Sequence, residues 1–126
     1  MLAIERAILD RWLAKYDIPG EHVYDLHLVT PDPVWPPHYT EADKEQWRYL
    51  TMKRVDLLIR AADRRWILEV TPRVSTRAVG ALDLYRTLLA KQEGPDPPIA
   101  LGIVAEAGDP AVEEVCAARG IRVWLV

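Results

Sequence analysis

Two carboxylates stand inside short apolar strands near the middle of the chain: Asp56 in RVDLLI and Glu69 in WILEVT. A carboxylate in a half-buried strand is costly unless something neutralises it. The segment between them, Ala61-Ala62-Asp63-Arg64, reads as a polar turn joining two antiparallel strands. A turn centred between Ala62 and Asp63 pairs residues whose numbers add to 125, which sets Asp56 opposite Glu69. Opposed residues on one face have Cβ atoms roughly 4.5–5.5 Å apart, a span that one divalent cation can bridge with both carboxylates. Unneutralised, the two would repel, so a metal ion, a shared proton or a nearby arginine must resolve the conflict. The same register sets Arg60 against Arg65, unfavourable unless both point into water, and a turn with an odd number of residues would instead face Glu69 with Leu57. The plainer alternative is that Asp56 and Glu69 form salt bridges with Arg54, Arg73 or Arg77 at a solvated sheet end.

The elements that would carry these residues follow from periodicity. Leu2 to Tyr16 has apolar residues at helical spacing, stopped by Ile18-Pro19-Gly20. In EHVYDLHLVT, Tyr24, Leu26 and Leu28 alternate with Asp25, His27 and Val29 as in a half-buried strand. PDPVWPPHYT, with four prolines between positions 31 and 37, is a loop packed down by Trp35 and Tyr39. Thr40, followed by Glu41 and Asp43, starts a short helix bearing Trp47 and Leu50. After the hairpin, Ser75 or Thr76 caps a helix with Val79, Leu82, Tyr85, Leu88 and Leu89 on one stripe, ending near GPDPP. Ile99 to Glu106 is a strand covered on both faces. Asp109 caps a helix with Pro110 in its first turn, Gly120 ends it, and IRVWLV is the last strand. The expected fold is one α/β domain over residues 1–126, in the order helix, strand, loop with short helix, hairpin, helix, strand, helix, strand. Its sheet is mixed, because crossover helices reach both late strands.

RVDLLI, then WILEVTP, then the helix AVGALDLYRTLLA resembles the core of the PD-(D/E)XK nuclease superfamily, the restriction-endonuclease-like fold. An opening helix with a Glu, here Glu5, and the late strand-helix-strand extend the resemblance over nearly the whole chain. It implies hydrolysis of DNA phosphodiesters with Mg²⁺ or Mn²⁺, held by Asp56, Glu69 and the carbonyl of Val70, with Glu5 reaching the metal through water. It also implies a lysine where this chain has Thr71, and often a Gln near Ala81. Such hydrolysis needs an activated water and positive charge beside the reacting phosphorus; the metal supplies both and the lysine shares the work. Thr71 brings no charge. Arg73, on the same strand face if the strand runs past Pro72, is one substitute, and Lys53 or Arg77 are others. Arginine stays protonated, so its service would be a bidentate grip on phosphate. The rival reading is a catalytically silent nuclease-fold protein serving as an interaction or assembly component, for example of a bacteriophage or mobile element. An unrelated α/β scaffold with two salt-bridged acids is the third.

Composition bounds these readings. The chain is 50% apolar and 28% charged, as in a soluble globular protein, and no apolar run approaches the roughly 20 residues that span a bilayer. A formal charge of −3 argues against coating nucleic acid by bulk electrostatics, so DNA contact would be local, through Lys53, Arg54, Arg73 and Arg77. One cysteine, Cys116, fits a reducing cytoplasm, or a virion and its host if phage-encoded, and its helical context marks a buried structural thiol. The acids in MLAIERAILDRW do not suit a secretory signal. The absence of Asn and the abundance of Pro suggest a thermophile or a GC-rich genome. His22, His27 and His38 make no metal-ligand pattern, and Trp35 and Tyr39 are more naturally core than base-stacking platform. A homodimer or an assembly partner is compatible with all of this.

Overall fold

In the computed structural model, which describes Met1–Val126, the elements run α1 (Ala3–Lys15), β1 (Glu21–Leu28), α2 (Glu41–Thr51), β2 (Lys53–Arg60), β3 (Arg65–Arg73), α3 (Thr76–Glu93), β4 (Ile99–Ala107), α4 (Pro110–Ala118) and β5 (Ile121–Leu125). The helix starts are those the capping residues call for. The Thr40 hydroxyl accepts the Asp43 N–H at 3.2 Å while the Asp43 carboxylate takes the Thr40 N–H at 2.9 Å. Ser75 takes the Ala78 N–H at 3.2 Å, and Asp109 that of Val112 at 3.4 Å with Pro110 in the first turn. Gly120, at φ 69°, ends α4 in the left-handed conformation that glycine adopts without strain.

The five strands form one sheet in the order β1-β2-β3-β4-β5. The first three are antiparallel neighbours, while β3, β4 and β5 run parallel, with α3 and α4 as the crossovers. On one face α1 buries Ile8, Leu9 and Trp12 against Leu57, Leu68 and Trp124. On the other, α3 and α4 bury Val79, Leu82, Leu89 and Cys116 against Leu58, Ile67 and Ile103. Full burial of each large apolar side chain is worth about 1.5–3 kcal/mol, so these two layers fix the sheet and whatever its ends carry. The mixed sheet with helices on both faces is the arrangement expected of a restriction-endonuclease-like core. No helix is long and apolar enough to cross a membrane.

The hairpin keeps the register its turn implies: Leu57 faces Leu68, Ile59 faces Trp66 and Arg60 faces Arg65, which rules out the alternative that sets Glu69 against Leu57. Arg60 and Arg65 face each other as the register requires, and the conflict is resolved by a route other than solvent. Arg65 is 2% exposed, donating to the carbonyls of Pro97 and Gly94, and it shares Glu93 with Arg60. A carboxylate between the two guanidiniums removes the like-charge conflict.

One strand departs from simple alternation. Val23 and Leu26 both pack on the α3 side while Tyr24 is 39% exposed, so the expected inward set of Tyr24, Leu26 and Leu28 holds only for the two leucines. The cause is Asp25, whose φ of 49° inserts a left-handed residue into β1. Across from it β2 also switches faces: Val55 lies in the α3 layer and Leu57 in the α1 layer, although they are two residues apart. The pairing of β1 with β2 skips Asp25 and Asp56, and that of β2 with β3 stops at Leu57 and Leu68. The sheet therefore opens at Asp56.

Candidate active site

Past Leu57 the β2–β3 ladder gives way, and the Asp56 side chain bridges the gap. Its Oδ2 accepts the Val70 N–H at 2.8 Å, standing in for a ladder hydrogen bond. Glu69, one register step on, faces the α3 side between buried Leu68 and buried Val70. Its carboxyl is pushed up to about 9 by burial, by a hydrogen bond with Asp56 and by the charges of Asp56 and Glu5, against the opposing pull of Arg77. At neutral pH Glu69 thus keeps its proton, and no arginine touches it. The salt-bridge alternative of the sequence has no counterpart here: neither Asp56 nor Glu69 is ion-paired with Arg54, Arg73 or Arg77.

A recess of about 170 Å³ opens over Glu69, lined also by Thr71 of β3, Glu5 of α1, and Arg77, Ala81 and Tyr85 of α3. Helix α3 presents Arg77, Ala81 and Tyr85 together because they recur every four residues on one face. The Tyr85 hydroxyl is raised to about 12, first by burial and then by the charges of Glu69 and Asp56. A second recess, sharing Glu5, is lined by Asp25, Arg54 and Asp56 on the α1 side. Glu5 is therefore the partition between the two.

The residues singled out from the sequence do not all meet at the site. Asp56, Glu69, Val70, Thr71 and Arg77 lie at this end of the sheet, around the two recesses. Glu5 lies at their rim, but its Oε2 already accepts the Leu2 N–H at 2.9 Å to cap α1, and no group of three or more His, Cys, Asp or Glu side chains is arranged to hold a metal ion. Arg73 is exposed at the end of β3 and lines neither recess, although β3 does continue through Pro72. Thr71 is turned to a structural task, its hydroxyl donating to the Arg73 carbonyl at 3.1 Å. Trp35 sits against Tyr39, Trp47 and Arg48, but Trp35 and Tyr39 are only half-buried and lie in neither core layer, so the expectation that they are core is corrected.

The arginines at this end differ from those elsewhere. Arg54, Arg73 and Arg77 make no salt bridge; Arg122 lies over the Trp124 ring, and every other arginine pairs with a carboxylate. Sequence reading named the first three, yet their lack of partners was not visible in it. Asp25 was missed altogether, because a lone Asp in an alternating strand gives no sign of a left-handed backbone.

No family model matches the chain, and no curated protein matches it. Among solved structures, a chain of an EndoMS-dsDNA2 complex is similar over 100% of this chain at 17% identity and a TM-score of 0.55. At that identity the likeness speaks for a shared fold. The chain spans 46% of the length of that structure's chain.

Proposed function

We propose that this protein has a PD-(D/E)XK-type site and hydrolyses DNA phosphodiester bonds with Mg²⁺ or Mn²⁺, through a site reduced in its cationic equipment. The observation that carries this reading is the Asp56–Glu69 pair: two acids held together at the opening of the sheet, one of them buried enough to keep a proton to about 9. A divalent cation would relieve that conflict, and the available donors, two carboxylates and the Val70 carbonyl, are the hard oxygens Mg²⁺ and Mn²⁺ prefer. When bound, such a cation supplies an activated water and positive charge beside phosphorus.

The chain's own residues supply the rest. Arg77, unpaired and lining the recess beside Glu69, is placed to grip a phosphate oxygen, the service that Thr71 cannot give and that Arg73 is too remote to give. Asp56 is held in place by the Val70 N–H, so the first acid is oriented by the main chain. Arg54 and Arg73, also unpaired, flank the site and would position the strand; Lys53 begins β2 beside them. The similarity to a chain solved with DNA adds support for this substrate class. The second reading, a silent nuclease-fold component of a larger assembly, is favoured by one observation: Thr71 replaces the motif lysine and its hydroxyl is already spent on Arg73.

Incubation with supercoiled, linear and branched DNA in Mn²⁺ tests the proposal. Cleavage that Glu69→Ala abolishes and Arg77→Ala slows by about 10²-fold or more is expected. Metal-dependent binding of DNA without cleavage would support the silent reading instead.

A further inference from the structure

Beyond the acids, a further recess lies toward α2. The recess at Asp56 and Arg54 meets a third one, of about 290 Å³, lined by Arg54, His27, Tyr49, Leu50 and Met52. Arg54 and His27 are direct cross-strand partners of β2 and β1, so their side chains stand together on the α1 face of the sheet. The other wall is the last turn of α2, a helix with no buried residue at all. Its Tyr49 is 74% exposed and its Leu50 70% exposed, next to an arginine without a carboxylate partner. A flat aromatic ring, an aliphatic neighbour and a free guanidinium within one recess match the chemistry of a nucleotide: a base face for the ring and a phosphate for the arginine.

We infer that the recess formed by His27, Tyr49 and Arg54 binds one nucleotide of a single-stranded segment beside the scissile phosphate. This rests on the DNA reading of the site and narrows its substrate. Base faces are hidden in an intact duplex, so a stacking subsite selects a strand that is single, splayed or unpaired at that position. The charge of the protein points the same way. A net charge of −3 weakens any purely electrostatic hold on a duplex, and stacking supplies affinity that does not depend on net charge. Continuity with the acid recess through Arg54 places the occupant next to Asp56.

The test uses the full chain in EDTA, which separates binding from any metal chemistry. Anisotropy with labelled oligothymidylate and with a blunt duplex of equal length should show tighter binding of the single strand. Tyr49→Ala should weaken that binding at least about five-fold, Tyr49→Phe should retain it, and Arg54→Ala should lower the dependence on salt. Equal affinity for the two DNAs, or oligothymidylate binding indifferent to Tyr49→Ala, overturns the subsite. So does a shift of the wild type from dimer to monomer on Tyr49→Ala, which would make the recess a contact between copies. Failure here leaves metal binding at Asp56 and Glu69 untouched, whereas failure of the nuclease reading appears as metal-independent behaviour of that pair.

Discussion

The two ends of the β2–β3 hairpin pose the same electrostatic problem and solve it differently. At the turn end Arg60 faces Arg65, and Glu93 sits between them, hydrogen-bonded to Arg60 at 2.8 and 2.7 Å and to Arg65 at 3.3 Å. At the open end Asp56 meets Glu69, and no side chain of opposite charge touches either acid; Arg77 acts on Glu69 only from across the recess. The fold thus neutralises one like-charged pair with its own residues and leaves the other to hold a proton.

The contrast can be broken from either end. The steepest response should be to pH. In the unfolded chain Glu69 loses its proton near 4.5, whereas in the folded one it keeps it to about 9, so the folded state binds more protons between those values. Its contribution to stability is complete below 4.5 and declines as pH rises toward 9. Metal-free protein should therefore melt at progressively lower temperature across that window, and Glu69→Gln should flatten the decline. Next, Arg65→Ala removes a buried guanidinium and leaves the Gly94 and Pro97 carbonyls without its hydrogen bonds, while Glu93 keeps Arg60; a loss of about 1–3 kcal/mol per carbonyl in urea unfolding is expected, with no change in pH dependence. Thr71→Lys restores a cation beside Glu69 and should raise Mn²⁺-dependent cleavage by roughly 10²-fold in single-turnover assays. Arg60→Ala, at the partly exposed half of the structural cluster, should cost no more than about 1 kcal/mol.

Much of this architecture was legible in the sequence because local signals agreed. Thr40, Ser75 and Asp109 each mark a helix start that the structure bears out, and of the two registers the turn at Ala61–Arg64 allows, the structure takes the one whose paired numbers add to 125. What counting could not reach lay in tertiary space. Glu93 is remote from Arg60 in sequence, so the reconciliation of Arg60 with Arg65 had no local trace. The left-handed Asp25 turns Tyr24 outward and opens the sheet at Asp56, and strand alternation assumes that no such residue intervenes. At the site, residue types pointed to Asp56 and Glu69, but the choice among Arg73, Lys53 and Arg77 depended on α3 lying over β3. Only Arg77 lines the recess at Glu69.

If Asp56 and Glu69 together seat a divalent cation, Mn²⁺ titration of the wild type and Asp56→Asn by calorimetry at neutral pH will reveal it. Binding of one ion with release of a proton by the wild type, weakened at least ten-fold in Asp56→Asn, is the predicted result. Indistinguishable titrations of the two proteins would contradict it.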